Sequence, residues 1–375
     1  MDNLTHTLFG ATLARTPLGR AGRGTTAALL LASNAPDIDI VTATNGSTSY
    51  LRWHRGPTHG LLGIVVLGVA TAGVVWAGQR LVRRKEPEGS AGRNPSPGRN
   101  ASFAMLCAVS MIAVAFHILM DVPTAYGTRV LSPFGWTWYA ADWLPIIDIY
   151  LLVILGAGLI SGWLAPARRR SAATLALALM AGNYGLRAAA HHEALAAAPR
   201  LFGPLLPAAC EPTAPVLEPS FTSWPRRPPS SRSGRPCLVQ IAAMPGFLSP
   251  FRWRIVAQMS NGYELHDVDL LDARLHGPDT GHEVFWRMSI RYPNLWTPSV
   301  ERAAATDVGH VFLGFSRFPA ARSFVAPSGE TVVHWNDMRF AGGIFTLSAP
   351  RRPDPFTVTV RIAADGQVVE QRLGR

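Results

Sequence analysis

The sequence predicts a multi-pass α-helical membrane domain followed by a small β-rich soluble domain. Long apolar runs crowd the first half of the 375 residues, and charged residues make up only 16% of the chain, against about a quarter in soluble domains. In the last third, short alternating stretches rich in aromatic and β-branched residues read as strands.

The first 40 residues read as two apolar helices, Leu4 to Leu13 and Thr25 to Ser33, joined by RTPLGRAGRG with Gly and Pro as breakers. Each is too short to span comfortably, so an N-terminal helical hairpin dipping into the membrane is expected. It would put Arg15, Arg20 and Arg23 at its tip, and Asp2, His6 and NAPDID at its open end. About four spans are expected next: Leu61 to Gly78, Phe103 to Met120, Ile146 to Ala165, and a weaker one from Ala172 to Ala190 that contains Asn183 and Arg187. The segment RLVRRKEPEGSAGRNPSPGRN and the run Arg168-Arg169-Arg170 belong on the cytoplasmic side by the positive-inside tendency. The arginine-poor loop from Asp121 to Pro145 then lies on the other side. The start, MDNLTHTLFGATLAR, lacks the basic residues and cleavage site of a secretory signal and is expected to be retained.

The helical membrane domain is assigned to residues 1–192, and a Pro/Ser/Arg-rich linker to 193–236. The β-rich domain takes 237–375, with strands at Phe251 to Met259, Tyr263 to Leu270, Thr331 to Phe340 and Phe356 to Ala363, and a helix near Ser299 to Gly309. It is expected outside the cytoplasm. Net charge is +11, but Lys85 is the only lysine and many arginines flank apolar runs. That pattern fits membrane topology rather than a nucleic-acid-reading face, so no nucleic acid is expected as a partner. The three cysteines lack metal-ligand spacing; Cys107 reads as a small buried side chain, and Cys210 and Cys237 would pair in a non-cytoplasmic setting.

The chemistry concentrates in the first 150 positions. Asp2 and His6 are four apart and share a helix face, as do His117 and Asp121 at the end of the second apolar run. Asp37 and Asp39 follow a helix that Pro36 should end, His54 and His59 lie in WHRGPTH, and Asp142 and Asp148 flank the start of the third run. In the expected topology all of them collect on one side of the membrane. Mixed imidazole and carboxylate donors suit zinc, then manganese or iron(II), better than calcium or magnesium. The donors exceed the needs of one tetrahedral ion, so two or three ions are expected. Each residue also has an ordinary reading: Asp2 or Asp148 as a helix N-cap, a lone His as an interfacial residue. His117 weighs most, because an ionisable group in an apolar run is costly and by default marks function.

DNLTHTLFG, NAPDID, HRGPTH, the His117–Asp121 pair and YGTRVLSPF together resemble a family of bacterial inner-membrane proteins. It is described as LexA-regulated, membrane-bound, metal-dependent hydrolases, the YdjM-like family. The resemblance covers residues 1 to 150 and implies metal-ligand roles for Asp2, His6, Asp37, Asp39, His54, His59, His117 and Asp121. Thr5 and Thr58, each directly before a His, would orient ligands. A more distant resemblance is to zinc-dependent phospholipase C and the related single-strand nucleases. The chain departs from them, since His191-His192-Glu193 lacks the spacing of a His-x-x-x-Glu pair. His266, His276, His282, His310 and His334 read as surface or strand residues.

The expected function is a hydrolase of the inner (cytoplasmic) membrane, with the lipid bilayer as partner and a lipid or small phosphoester as substrate. Asp39 or Asp148 would take up the proton. The rival reading is a non-catalytic component for metal handling, transport or envelope stress. No His-Glu-x-x-His stretch and no Gly-x-Ser-x-Gly elbow is present.

Overall fold

The computed structural model describes residues 1–85, 99–202, 207–210, 222–224, 236–272, 290–341 and 356–374. Much of the expected linker, most of the basic loop after α4, and His276 and His282 lie outside the described residues.

Helix α1 (Asn3–Leu13) starts where the Asp2 carboxylate accepts the Thr5 N–H, and α2 (Thr25–Ala32) follows a turn through Gly22 and Gly24. A 3-10 helix, Ala35–Asn45, begins at Pro36, which cannot continue α2, and α3 (Ser47–Trp53) comes next. Helix α4 (Leu61–Lys85) and helix α5 (Phe103–Asp121) pack as an antiparallel pair. Gly68 makes their approach close: a Cβ there would lie 2.5 Å from the Met111 side chain.

The four-span expectation is corrected by these helices. Among the described residues only two, Leu61–Val82 and Phe103–Asp121, are long and apolar enough to cross a bilayer. The expected third span forms α6 (Ile149–Leu164), whose 16 residues reach about 24 Å, short of a hydrocarbon core of about 30 Å. The expected fourth lies within α7 (Arg169–Phe202), 34 residues long and too polar to qualify. Its last turns serve a different core. Ala190, Ala194, Leu195, Ala198, Leu201 and Phe202 pack on Ile241, Trp253 and Ile255 of a β-sheet. An apolar run records that side chains leave water, not whether lipid or a sheet receives them.

The remainder is β-rich. Strands β1 (Trp138–Ala140) and β2 (Thr222–Trp224) pair antiparallel. Strands β3 (Leu238–Pro245), β4 (Arg252–Met259), β5 (Gly262–Asp269) and β6 (Ile290–Pro293) form one antiparallel sheet in sequence order. Two short helices, α8 (Pro298–Ala304) and α9 (Asp307–Phe315), replace the single expected helix, because Thr306 caps a new start. Strands β7 (Pro319–Val325), β8 (Thr331–Asp337), β9 (Thr357–Ile362) and β10 (Val368–Leu373) form the last sheet. Cys210 and Cys237 form a disulfide.

The sheets are not a separate appendage. Phe312, Phe315, Trp335 and Val358 share a core with Tyr126, Trp138 and Trp224. Buried Arg339 donates to Asp337 and to the carbonyls of Tyr126 and Phe315, and buried Arg317 pairs with Asp142 at 2.6 Å. These contacts hold the 121–145 loop, and through it the end of α5, against the C-terminal sheets.

Candidate metal centre

Antiparallel packing of α4 on α5 brings His59, two residues before α4, to the same end as His117 and Asp121, which close α5. The 3-10 helix crosses this end, packing on α2, α4 and α5. Along it Asp39 is buried and Asp37 half-buried, while Ile38, Ile40 and Val41 stay exposed. Helix α1 delivers His6, which is fully buried.

Four donor atoms meet here. His59 Nε2 lies 3.4 Å from Asp37 Oδ1 and 3.4 Å from Asp121 Oδ2. His117 Nε2 lies 3.7 and 3.4 Å from the same two oxygens, and the two Nε2 atoms are 3.2 Å apart. Ligands at 2.0–2.2 Å around a tetrahedral ion would be spaced about 3.3–3.6 Å from one another. These five separations are close to the edge length of that tetrahedron, and the atoms fall into two groups that share His117: His59, His117 and Asp121, and His6, Asp37 and His117. His6 stacks on His117 with ring centroids 3.7 Å apart and its Nε2 3.5 Å from Asp121 Oδ1, so it offers a further donor on the same side.

The donors are also unsatisfied. Both ring nitrogens of His6, Asp37 Oδ2 and Asp121 Oδ2 are buried without a hydrogen-bond partner. Such atoms are costly and rare, and a cation is what this set would take. The charge agrees: Asp37, Asp39 and Asp121 face one buried guanidinium, Arg55. The Met1 amino group also pairs with Asp121, but burial pushes it toward its neutral form. The surplus of two negative charges is what a divalent ion balances. His6, Asp37, His59, His117 and Asp121 are therefore the residues able to hold one ion, or two that share His117.

Two rings are oriented from behind. The Ser33 carbonyl lies 2.8 Å from His117 Nδ1 and accepts its proton, which leaves the Nε2 lone pair facing the cluster. His59 Nδ1 lies 3.0 Å from Thr58 Oγ1 and 3.5 Å from Asp39 Oδ2. Partners of this kind fix the tautomer of a metal-bound imidazole. Asp39 also accepts the Arg55 N–H at 2.8 Å and faces His54 Nδ1 at 3.2 Å. His54 spends its other nitrogen on the Tyr50 hydroxyl, so Asp39 and His54 form the layer behind the ligands. Burial alone would raise the Asp39 carboxyl, but the His54 hydrogen bond and the neighbouring histidines outweigh it and hold it below its ordinary value. Replacing Asp39 by Asn is expected to weaken metal affinity about 10- to 100-fold. A competition titration against a chromophoric chelator measures this, and unchanged affinity would remove Asp39 from the centre.

Other expected site residues are placed elsewhere. Asp2 caps α1, taking both the N–H and the hydroxyl of Thr5, so Thr5 orients no histidine. Asp148 caps α6 and pairs with Arg187 at 2.7 Å. Asp142 is held by Arg317. Residues that the sequence reading missed are Ser33, which contributes only a carbonyl, the Met1 amino group, and Arg55. Arg55 has φ +50 and binds Asp121 Oδ1 at 3.0 Å and the Gly127 carbonyl at 2.9 Å. Its signal in the sequence is a charged residue set between His54 and Gly56.

Burial pushes His6, His54 and His59 below the ordinary imidazole range, so they stay neutral and able to ligate. The unfolded chain protonates its histidines near pH 6.5. Below that value it binds more protons than the folded protein, so stability must fall as pH drops. The slope is up to about one proton for each such histidine. Chemical denaturation of metal-stripped protein in mild detergent between pH 7.5 and 5.5 checks this, and a flat profile would contradict it.

A helical pair long and apolar enough to cross a bilayer thus carries a buried His/Asp nest, a candidate metal centre, at one end. Residues 1–194, more than half of the chain, match the family described as YdjM inner membrane protein, and the chain belongs to that family. A relative in Bacillus subtilis (strain 168), "Uncharacterized protein YfhP", is 27% identical over 126 residues, which is 34% of this chain and 33% of that protein. This chain thus spans about a third of the relative's length. No solved structure matches.

Proposed function

We propose that the protein is a metal-dependent hydrolase anchored in the inner membrane and acting on a phosphoester at the membrane face. The observation that carries this reading is the convergence of His59, His117, Asp37 and Asp121 at 3.2–3.7 Å, with Asp121 Oδ2 and both His6 nitrogens buried and unpaired beside them. Zinc suits the donor set first. Such an ion would polarise a phosphoryl oxygen and activate water.

The chain's own residues supply the rest. Asp37 is the most exposed of the five donors, at 13% of its side chain, and its Oδ2 has no partner, so we assign it to receive the proton. Arg55 holds Asp121 in place and offsets one of the three carboxylate charges. Exposed Ile38, Ile40 and Val41 flank Asp37 at the end of the spanning pair, which favours a lipid or lipid-like phosphoester reaching the mouth from the bilayer. The arginine-rich flanks and the Cys210–Cys237 disulfide support a mouth on the non-cytoplasmic side, where disulfides persist.

Zinc-loaded protein in nanodiscs, offered a chromogenic phosphodiester and a phospholipid, tests the reading. Product release that a chelator stops is expected, with Asp37→Asn reducing turnover about a hundredfold. Stoichiometric zinc without turnover of either substrate would favour a metal-handling role instead.

A further inference from the structure

The opposite end of the α4–α5 pair carries a feature unrelated to the metal centre. A cavity of about 240 Å³ is lined by Trp76, Gln79, Arg80, Arg99, Asn100 and Ala101. Its framework is built rather than incidental. The Arg23 N–H donates to the Arg99 carbonyl and the Ala101 N–H to the Arg23 carbonyl, both at 3.1 Å, tying the turn before α2 to the start of α5. The Gln79 amide closes the same corner by donating to the Arg23 carbonyl at 2.5 Å. The Arg80 guanidinium lies 3.8 Å over the Trp76 ring, which in turn meets Phe103 edge-on.

Among the described residues, charge at this corner is one-sided. Arg80 and Arg99 both line the cavity, and among the described residues neither forms an ion pair with a carboxylate. Depth identifies the ligand class. Arg80 stands two residues before the end of the apolar segment at Val82, where a spanning helix would meet the headgroups, on the end that the arginine-rich segments assign to the cytoplasm. Guanidinium forks match phosphate oxygens, and an arginine stacked on an indole loses little freedom on binding. We propose that this cavity holds the phosphate of an anionic phospholipid headgroup, with Arg80 and Arg99 as its ligands and Trp76 as the platform that fixes Arg80.

Native mass spectrometry of the full-length protein in neutral detergent, given equal phosphatidylglycerol and phosphatidylcholine, tests this. One retained phosphatidylglycerol is expected, with little phosphatidylcholine. Arg80→Gln and Arg99→Gln should each cut retention roughly fivefold, and Trp76→Leu, which leaves the charge intact, should also lower it. The pair Arg168→Gln/Arg170→Gln removes two charges outside the cavity and should change nothing. Bound zinc, read in the same spectra, should be equal in all variants that elute as folded protein. Equal retention of the two lipids, equal retention by the Arg80 and Arg99 variants, or displacement of the lipid by millimolar inorganic phosphate would overturn the assignment.

Discussion

Replacing His117 by alanine is expected to strip the metal from the purified protein. The ring is shared by both groups of donors that could hold an ion. It cannot be spared to a neighbour, because Ser33 fixes its Nδ1 and His6 covers its face. Asp121→Asn should do the same by a different route, since it removes an anionic donor and leaves Arg55 with a neutral partner. Loss of a partner behind a ligand weakens metal sites about 10- to 100-fold, so loss of a ligand should exceed that and leave under a tenth of the zinc after dialysis. Elemental analysis of protein eluting as a folded species reads the result. Wild-type stoichiometry in both variants would refute the centre.

The second large effect falls on stability. Asp148 and Arg187 form an ion pair with both side chains fully buried. The other Asp148 oxygen caps α6 through the N–H groups of Tyr150 and Leu151, and Arg187 also donates to the Gly246 carbonyl near the end of β3. The pair thus joins α6, α7 and the first large sheet. Asp148→Ala leaves a buried guanidinium without its carboxylate, and removing one partner of such a pair costs about 3–5 kcal/mol. The expected result is a large fall in thermal midpoint with metal content unchanged in the protein that remains folded. Replacing both residues by Leu should recover much of the loss. A residue acting as the proton acceptor would behave oppositely, losing turnover at constant stability.

These outcomes bear on what the sequence made legible. The four-residue spacing of His117 and Asp121, set at the end of an apolar run, identified donors that do converge. The same spacing in Asp2 and His6 told only half the story. The Asp2 carboxylate, standing before the first turn, takes the N–H and hydroxyl of Thr5, and only His6 faces inward. Asp37 and Asp39 show a subtler limit. The two lie in the same 3-10 helix, yet one meets the donors and the other sits behind His59. Nothing in the residue types separates those places, because the difference lies in which elements stand against them. Hydropathy also ran out at α7, where alanine and leucine pack on a sheet whose strands lie fifty residues further along. The Ser33 carbonyl could not be read at all, since every residue has one.

X-ray absorption at the zinc edge on zinc-replete protein in detergent tests the central claim most directly. The account predicts a first shell of nitrogen and oxygen at about 2.0–2.1 Å, with the outer-shell signature of at least two imidazoles from His59 and His117 that is lost in His117→Ala. A shell containing sulfur, or a spectrum unchanged by that substitution, would contradict it.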